Sequence, residues 1–119
     1  MMRPKTVFCD IDGTLVRHFA PNVGASPDHQ MELLPLTIEK LLEWDRKGYN
    51  IILTTGRKES LREQTAKQLA HAGIIYDHLL MGIGGGHRVL INDRKPDKSE
   101  DTAIAINLER DSGIGGVEI

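Results

Sequence analysis

Asp10 and Asp12 stand two residues apart at the end of an apolar, β-prone run, Val7-Phe8-Cys9, and Gly13 follows them. Residues two apart in a strand project to the same face. Both carboxylates are therefore expected side by side where the strand stops, with Gly13 permitting a sharp turn. Two carboxylates that close repel unless a cation lies between them or one keeps its proton. Either solution serves chemistry, as a nucleophile with an acid/base partner or as ligands of a cation. Two further apolar runs end in polar groups. Tyr49 to Leu53 leads into Thr54-Thr55-Gly56-Arg57, and Val89-Leu90-Ile91 leads into Asn92-Asp93. An acidic strand end, or a Thr-Gly turn, is commonplace alone; three such ends in one chain point to one shared crevice.

The elements that must position these groups alternate. A first strand is expected over about Thr6–Ile11, and a helix over Leu36–Lys47, where Leu34, Ile38, Leu41 and Leu42 recur at helical spacing before Gly48. A second strand follows at Tyr49–Thr54. A second helix is expected over Ser60–Ala72, with Ser60 and Glu63 as a capping box and Gly73 as the stop. Further strands are expected at His78–Met81, Val89–Ile91 and Ala103–Leu108, and the glycine-rich tail after Glu109 reads as poorly ordered or an edge. Strands alternating with helices predict an α/β fold, a three-layer, doubly wound parallel sheet. Its ligand site belongs at the carboxyl ends of the strands. Residues 1–119 read as a single domain, and 17–35 as a loop or flap long enough to be functional.

The run Asp10-Ile11-Asp12-Gly13-Thr14 resembles the first motif, D-x-D-G-T, of the haloacid dehalogenase (HAD) superfamily of phosphotransferases. Thr55 with Gly56 and Arg57 resembles the second motif, and Asn92-Asp93 the fourth, with Asn92 in place of an acid. The resemblance spans roughly residues 6 to 108. It implies strand order 3-2-1-4-5, a site without a cap domain, and phosphomonoester hydrolysis. Asp10 is then the nucleophile that forms an aspartyl-phosphate, and Asp12 the acid/base. Mg2+ is then held by Asp10, the Asp12 carbonyl and Asp93, while Thr55, Gly56 and Arg57 bind phosphate. Asp97, four residues after Asp93, stands at the spacing of a second acid of this motif and reads either as an aid to the metal or as a plain loop residue.

The family's third motif, a cation ahead of the fourth strand, is missing from Met81 to Gly86. Arg88 and Lys95 are the two candidates for that catalytic charge; Lys95 is favoured by lying past the same strand end as Asp93, Arg88 by preceding the strand. Gly82 to Gly86 fails the G-x-G-x-x-G pattern at His87 and reads as a turn. The five histidines show no paired zinc spacing.

A formal charge of −2 over 119 residues gives no basic footprint for nucleic acid and no polybasic membrane segment. The lone Cys9 reads as a buried thiol compatible with a reducing cytosol. Neither a secretory leader nor a membrane span is expected, so the cytoplasm is the expected location. The small HAD relatives with a Gly-Arg second motif resemble phosphatases of surface-polysaccharide and sugar-phosphate metabolism, and the phosphatase half of polynucleotide end-processing enzymes. A small phosphorylated metabolite is the expected substrate, with a second subunit as a possible lid. A polynucleotide-end or nucleotide phosphatase and a phosphoryl-binding protein without turnover are the alternatives.

Overall fold

In a computed structural model, which describes residues 3–119, the chain builds a parallel sheet of three strands: β1 (Thr6–Asp10), β2 (Asn50–Thr54) and β3 (His78–Leu80). Val7 pairs with Ile51, Cys9 with Leu53, and Leu53 in turn with Leu79. These residues share one face, and that face is dry. Cys9, Ile51, Leu53 and Leu79 pack there with Leu41 and Trp44 of α2 (Thr37–Arg46) and Leu69 of α3 (Arg62–Ala72). Both helices lie on this side, as right-handed crossovers between successive parallel strands require.

The helix ends follow the sequence closely. Gly48 and Gly73, at φ +79° and +81°, close α2 and α3 in the left-handed conformation that glycine adopts without a Cβ penalty. The capping box does not form: Ser60 lies in a 3-10 turn, Glu59–Leu61, and α3 starts at Arg62 without a side-chain cap.

The expected order continues only as far as β1. Neither Val89–Ile91 nor Ala103–Leu108 forms a strand, and Val89 and Ile91 are 80% and 88% exposed. Residues 84–109 instead form a projecting arm whose tip is tied by an Arg94–Asp101 ion pair and a Thr102 hydroxyl donating to the Asp93 carbonyl. The long axis of the molecule reaches 52 Å against 28 and 25 Å for the others. With the second half of the sheet unbuilt, the face carrying Phe8, Ile52 and Leu80 lacks a covering layer. Phe8 is 54% exposed. The described residues therefore make two layers of the expected three.

The tail, in contrast, is ordered. Ile114 and Val117 are buried in the core, and Glu118 pairs with Lys40 at 3.1 Å. The Tyr49 hydroxyl donates to the Ile119 carbonyl. The apolar spacing of Ile114 and Val117, masked by Gly113, Gly115 and Gly116 in the sequence, is what seats it.

The flap leaves and returns through an antiparallel bridge between Val16 and Leu33 and contains one short helix, α1 (Pro21–Gly24). No separate cap domain is built. No helix among the described residues is long and apolar enough to cross a membrane.

Candidate active site

β1 delivers Asp10 at its last position, and the chain then turns tightly, with the Gly13 and Leu15 N–H groups bonding the Val16 and Ile11 carbonyls. Gly13 takes φ +89°, and a Cβ there would approach the Arg110 side chain at 3.3 Å. The C-terminal segment is docked on this turn. The Asp111 N–H donates to the Gly13 carbonyl, and the Asp111 carboxylate accepts from the His18 N–H, both at 2.8 Å.

Asp10 keeps substantial accessible surface, yet the protein around its carboxyl strips hydration and raises its pKa above the ordinary 3.8. The neighbouring charge of Asp12 raises it further. A hydrogen bond from the Ile11 N–H, the charge of Arg88, and the Thr14 hydroxyl at 3.4 Å act in the opposite sense.

Asp12 is held differently. Arg57 grips it through both oxygens, Nη2 to Oδ1 at 3.0 Å and Nε to Oδ2 at 3.1 Å. The planar guanidinium fork fits a carboxylate in this way. The remaining nitrogen, Nη1, donates to Gln68 Oε1 at 2.5 Å and to the Thr65 hydroxyl at 3.4 Å. Gln68 and Thr65, on one face of α3, thus fix the arginine. The sequence reading assigns neither of them a site role. A polar residue pair at i, i+3 on the helix after a Thr-Gly-Arg turn was the available signal.

Thr55 follows β2 and is buried; its hydroxyl oxygen accepts the Arg57 N–H at 3.1 Å. The loop after β3 closes over this turn, the Gly82 N–H donating to the Arg57 carbonyl and the Ile83 N–H to that of Thr55. Gly56 is required by this approach, since a Cβ would sit 3.0 Å from the Ile83 carbonyl. Asp10, Asp12, Thr55, Gly56 and Arg57 thus meet at the carboxyl ends of β1 and β2, and the charge of Arg88 acts on Asp10.

Asp93 and Lys95 do not join them. They lie on the arm, 77% and 60% exposed at their side chains, paired with each other at 3.7 Å. Asp97 is likewise exposed on the arm. Among the described residues no three His, Cys, Asp or Glu side chains gather to hold a metal ion. Asp10 and the Asp12 carbonyl offer oxygens of the kind a hard divalent cation takes, while Asp93, the third ligand the resemblance implies, lies away from them on the arm. Cys9, one residue before the site, is buried and its thiol is pushed up to about 12, chiefly by desolvation, so it stays a neutral core residue.

The chain matches the family model of haloacid dehalogenase-like hydrolases over residues 7–80, a stretch that ends with β3 and leaves out the arm. Among solved structures it is similar to a chain of the Pnkp1/Rnl/Hen1 complex, described also as an RNA repair complex. Identity is 38% over 72% of this chain, with a TM-score of 0.58. This chain spans only 30% of that one. It is also similar to a protein from Vibrio cholerae, at 21% identity and TM-score 0.52 over 75% of this chain and 79% of that one. A D,D-heptose 1,7-bisphosphate phosphatase from B. bronchiseptica, complexed with magnesium and phosphate, shares 18% identity at TM-score 0.48 over 68% and 51% of the two chains. None of the curated proteins matches it. With the D-x-D-G-T turn at the end of β1 and the family match across all three strands, the chain belongs to the haloacid dehalogenase-like hydrolases.

Proposed function

We propose that the protein hydrolyses phosphate monoesters by attack of the Asp10 carboxylate on phosphorus, giving an aspartyl-phosphate that water then cleaves. The observation carrying this reading is the contrast between two carboxylates on one turn. Asp12 has both oxygens held by Arg57, whereas Asp10 meets only the Thr14 hydroxyl and the Ile11 N–H. A nucleophile needs an accessible lone pair; an acid/base needs a fixed place. Asp12, held by Arg57, is assigned the acid/base role: it protonates the leaving oxygen and then takes a proton from water. The Thr55 hydroxyl and the Gly56 N–H are assigned to the phosphoryl oxygens, and Arg88 offsets their charge. Arg88 and Lys95 both lie on the arm; Arg88 is favoured as the fixed cation, because its charge acts on Asp10 whereas Lys95 is paired with Asp93.

Mg2+ is the expected cofactor, with Asp10 and the Asp12 carbonyl as donors and Asp93 as the third ligand. It would supply charge neutralisation for the phosphoryl oxygens. The metal set is incomplete within one chain, so each step above is assigned to protein groups.

A small phosphorylated metabolite such as a sugar phosphate is the substrate favoured by the net charge of −2. The 38% identity to a chain of an RNA repair complex favours a second reading, a phosphorylated polynucleotide end, with protein partners. Release of inorganic phosphate from sugar phosphates, mononucleotides and 3′-phosphorylated oligonucleotides, with Asp10→Asn as control, tests both. Turnover surviving in Asp10→Asn overturns the mechanism, and preference for the oligonucleotide overturns the metabolite reading.

A further inference from the structure

We propose that the arm, residues 84–109, completes the sheet and the site of a second copy of this chain, with Val89–Ile91 lying parallel against the free edge of the partner's β1. The inference rests on the reading of Asp93 as a site residue.

Three observations carry it. First, β1 pairs only with β2 among the described residues, so its outer edge presents unpaired N–H and C=O groups beside an exposed Phe8. Second, the arm carries Val89, Leu90, Ile91, Ile104, Ile106 and Leu108, all exposed. Apolar residues in that number on one projection mark a surface that another surface covers.

Third, the arm cannot serve its own sheet in the required direction. For Asp93 to stand beside Asp10, Val89 must lie opposite Thr6 and Ile91 opposite Phe8, which makes the added strand parallel. The chain would then have to return from the top of the sheet to the foot of β1. Ile83 is tied to Thr55 at the top, leaving Gly84 to Arg88 for the journey. The six steps from Ile83 to Val89 span about 21 Å when fully extended. The straight path to the foot of a strand beyond β1, two strand spacings across and five residues down, is roughly 19 Å, and it runs through the sheet itself, so a route over the face is longer. A parallel crossover ordinarily takes a dozen or more residues. An antiparallel entry is within reach but would carry Asp93 to the wrong end. A second copy supplies the strand in the right direction without that return, and a twofold exchange repeats the contact in both protomers.

In this register Val89, Ile91 and Asp93 fall on the same face as Thr6, Phe8 and Asp10, since side chains alternate along both strands. Ile91 then covers Phe8 on the face that lacks its layer, and Asp93 arrives next to Asp10 as the absent third acid. Arg88, whose charge acts on Asp10 in the single chain, moves to the foot of the strand opposite Lys5, so an Arg88→Ala effect on the acid limb of the pH–rate profile that persists in the dimer overturns this register.

The test uses the full chain. Sedimentation should give twice the chain mass, and Ile91→Asp should give a monomer with an unchanged circular dichroism spectrum, because Ile91 is exposed in the protomer. Oxidising a mixture of Phe8→Cys chains and Ile91→Cys chains should yield a disulfide-linked species of twice the mass, which neither variant gives alone. Mixing Asp10→Asn with Asp93→Ala protein should restore about a quarter of wild-type turnover, because half the dimers then contain one intact site of two. A monomeric mass at all soluble concentrations overturns the proposal, as does a linked monomer from the double Phe8→Cys, Ile91→Cys chain. A dimer unaffected by Ile91→Asp also overturns it. Full activity of Asp93→Ala alone removes Asp93 from the site, while the mass and cross-linking results still decide whether the strand is exchanged.

Discussion

The Arg57 guanidinium holds Asp12 through two parallel hydrogen bonds, at 3.0 and 3.1 Å, while its side chain is only 10% exposed. A lysine at 57 offers a point charge in place of the fork. Arg57→Lys is therefore expected to lower kcat on the order of a hundredfold, the scale of losing one preorganised donor. Arg57→Ala should lose no less. Steady-state kinetics with a generic aryl phosphate give the answer, and near-native turnover in the lysine variant would remove the fork from the mechanism.

Asp10 makes a prediction about stability as well as rate. Its folded carboxyl binds a proton more tightly than the unfolded chain does, because desolvation and Asp12 disfavour the charge. The stability this contributes is present in full below the ordinary 3.8 and is lost as pH rises through the folded pKa. Asn at this position does not titrate. In urea unfolding without added metal, Asp10→Asn should gain on the wild type above about pH 4 and show a narrowing gap below it. A constant difference across the series would contradict the assignment, independently of the expected loss of turnover.

Arg88 and Lys95 should separate cleanly. In the single chain Arg88→Ala removes a charge that holds the Asp10 pKa down, so there the acid limb of its pH–rate profile should move to higher pH. Its turnover should fall on the order of a hundredfold. Lys95→Ala, losing a 3.7 Å contact between exposed groups, should change turnover little. Two similar profiles would leave the fixed cation elsewhere.

The C-terminal segment should matter for stability out of proportion to its position. Ile114 is 2% exposed, and Ile114→Ala is expected to cost roughly 2–5 kcal/mol by urea denaturation, as for other buried Ile-to-Ala changes. A cost within the range of ordinary surface substitutions would place the segment outside the core.

Much of the fold was legible in the sequence where local signals and packing agree. Gly48 and Gly73 end their helices as expected, and the runs before Asp10 and Thr55 form the strands that present them. The Asp10, Asp12 and Thr55-Gly56-Arg57 turns converge because parallel strands share one carboxyl end. The expected fourth and fifth strands failed for a different reason. Val89–Ile91 has strand composition, but periodicity carries no information on whether the connection from β3 is long enough to return. Counting Met81 to Arg88 against the length of a crossover would have exposed the conflict. The tail failed because its three glycines outweighed Ile114 and Val117 on inspection. Gln68 showed in the sequence only as a polar neighbour of Thr65 at i, i+3, since its role depends on Arg57, a residue from another element.

That glutamine has a consequence of its own. Its oxygen accepts from Arg57, and its amide nitrogen reaches the carbonyls of Gly24 and His29 at 3.2 Å and of Ser26 at 3.5 Å. The flap and the Asp12 carboxylate thus hang from opposite ends of one side chain. A ligand that lifts the flap pulls on the linkage that aims Asp12. With Asp12 as the proposed acid/base, fit at the periphery is registered at the proton transfer, and a poorly matched ester is penalised in rate as well as in affinity.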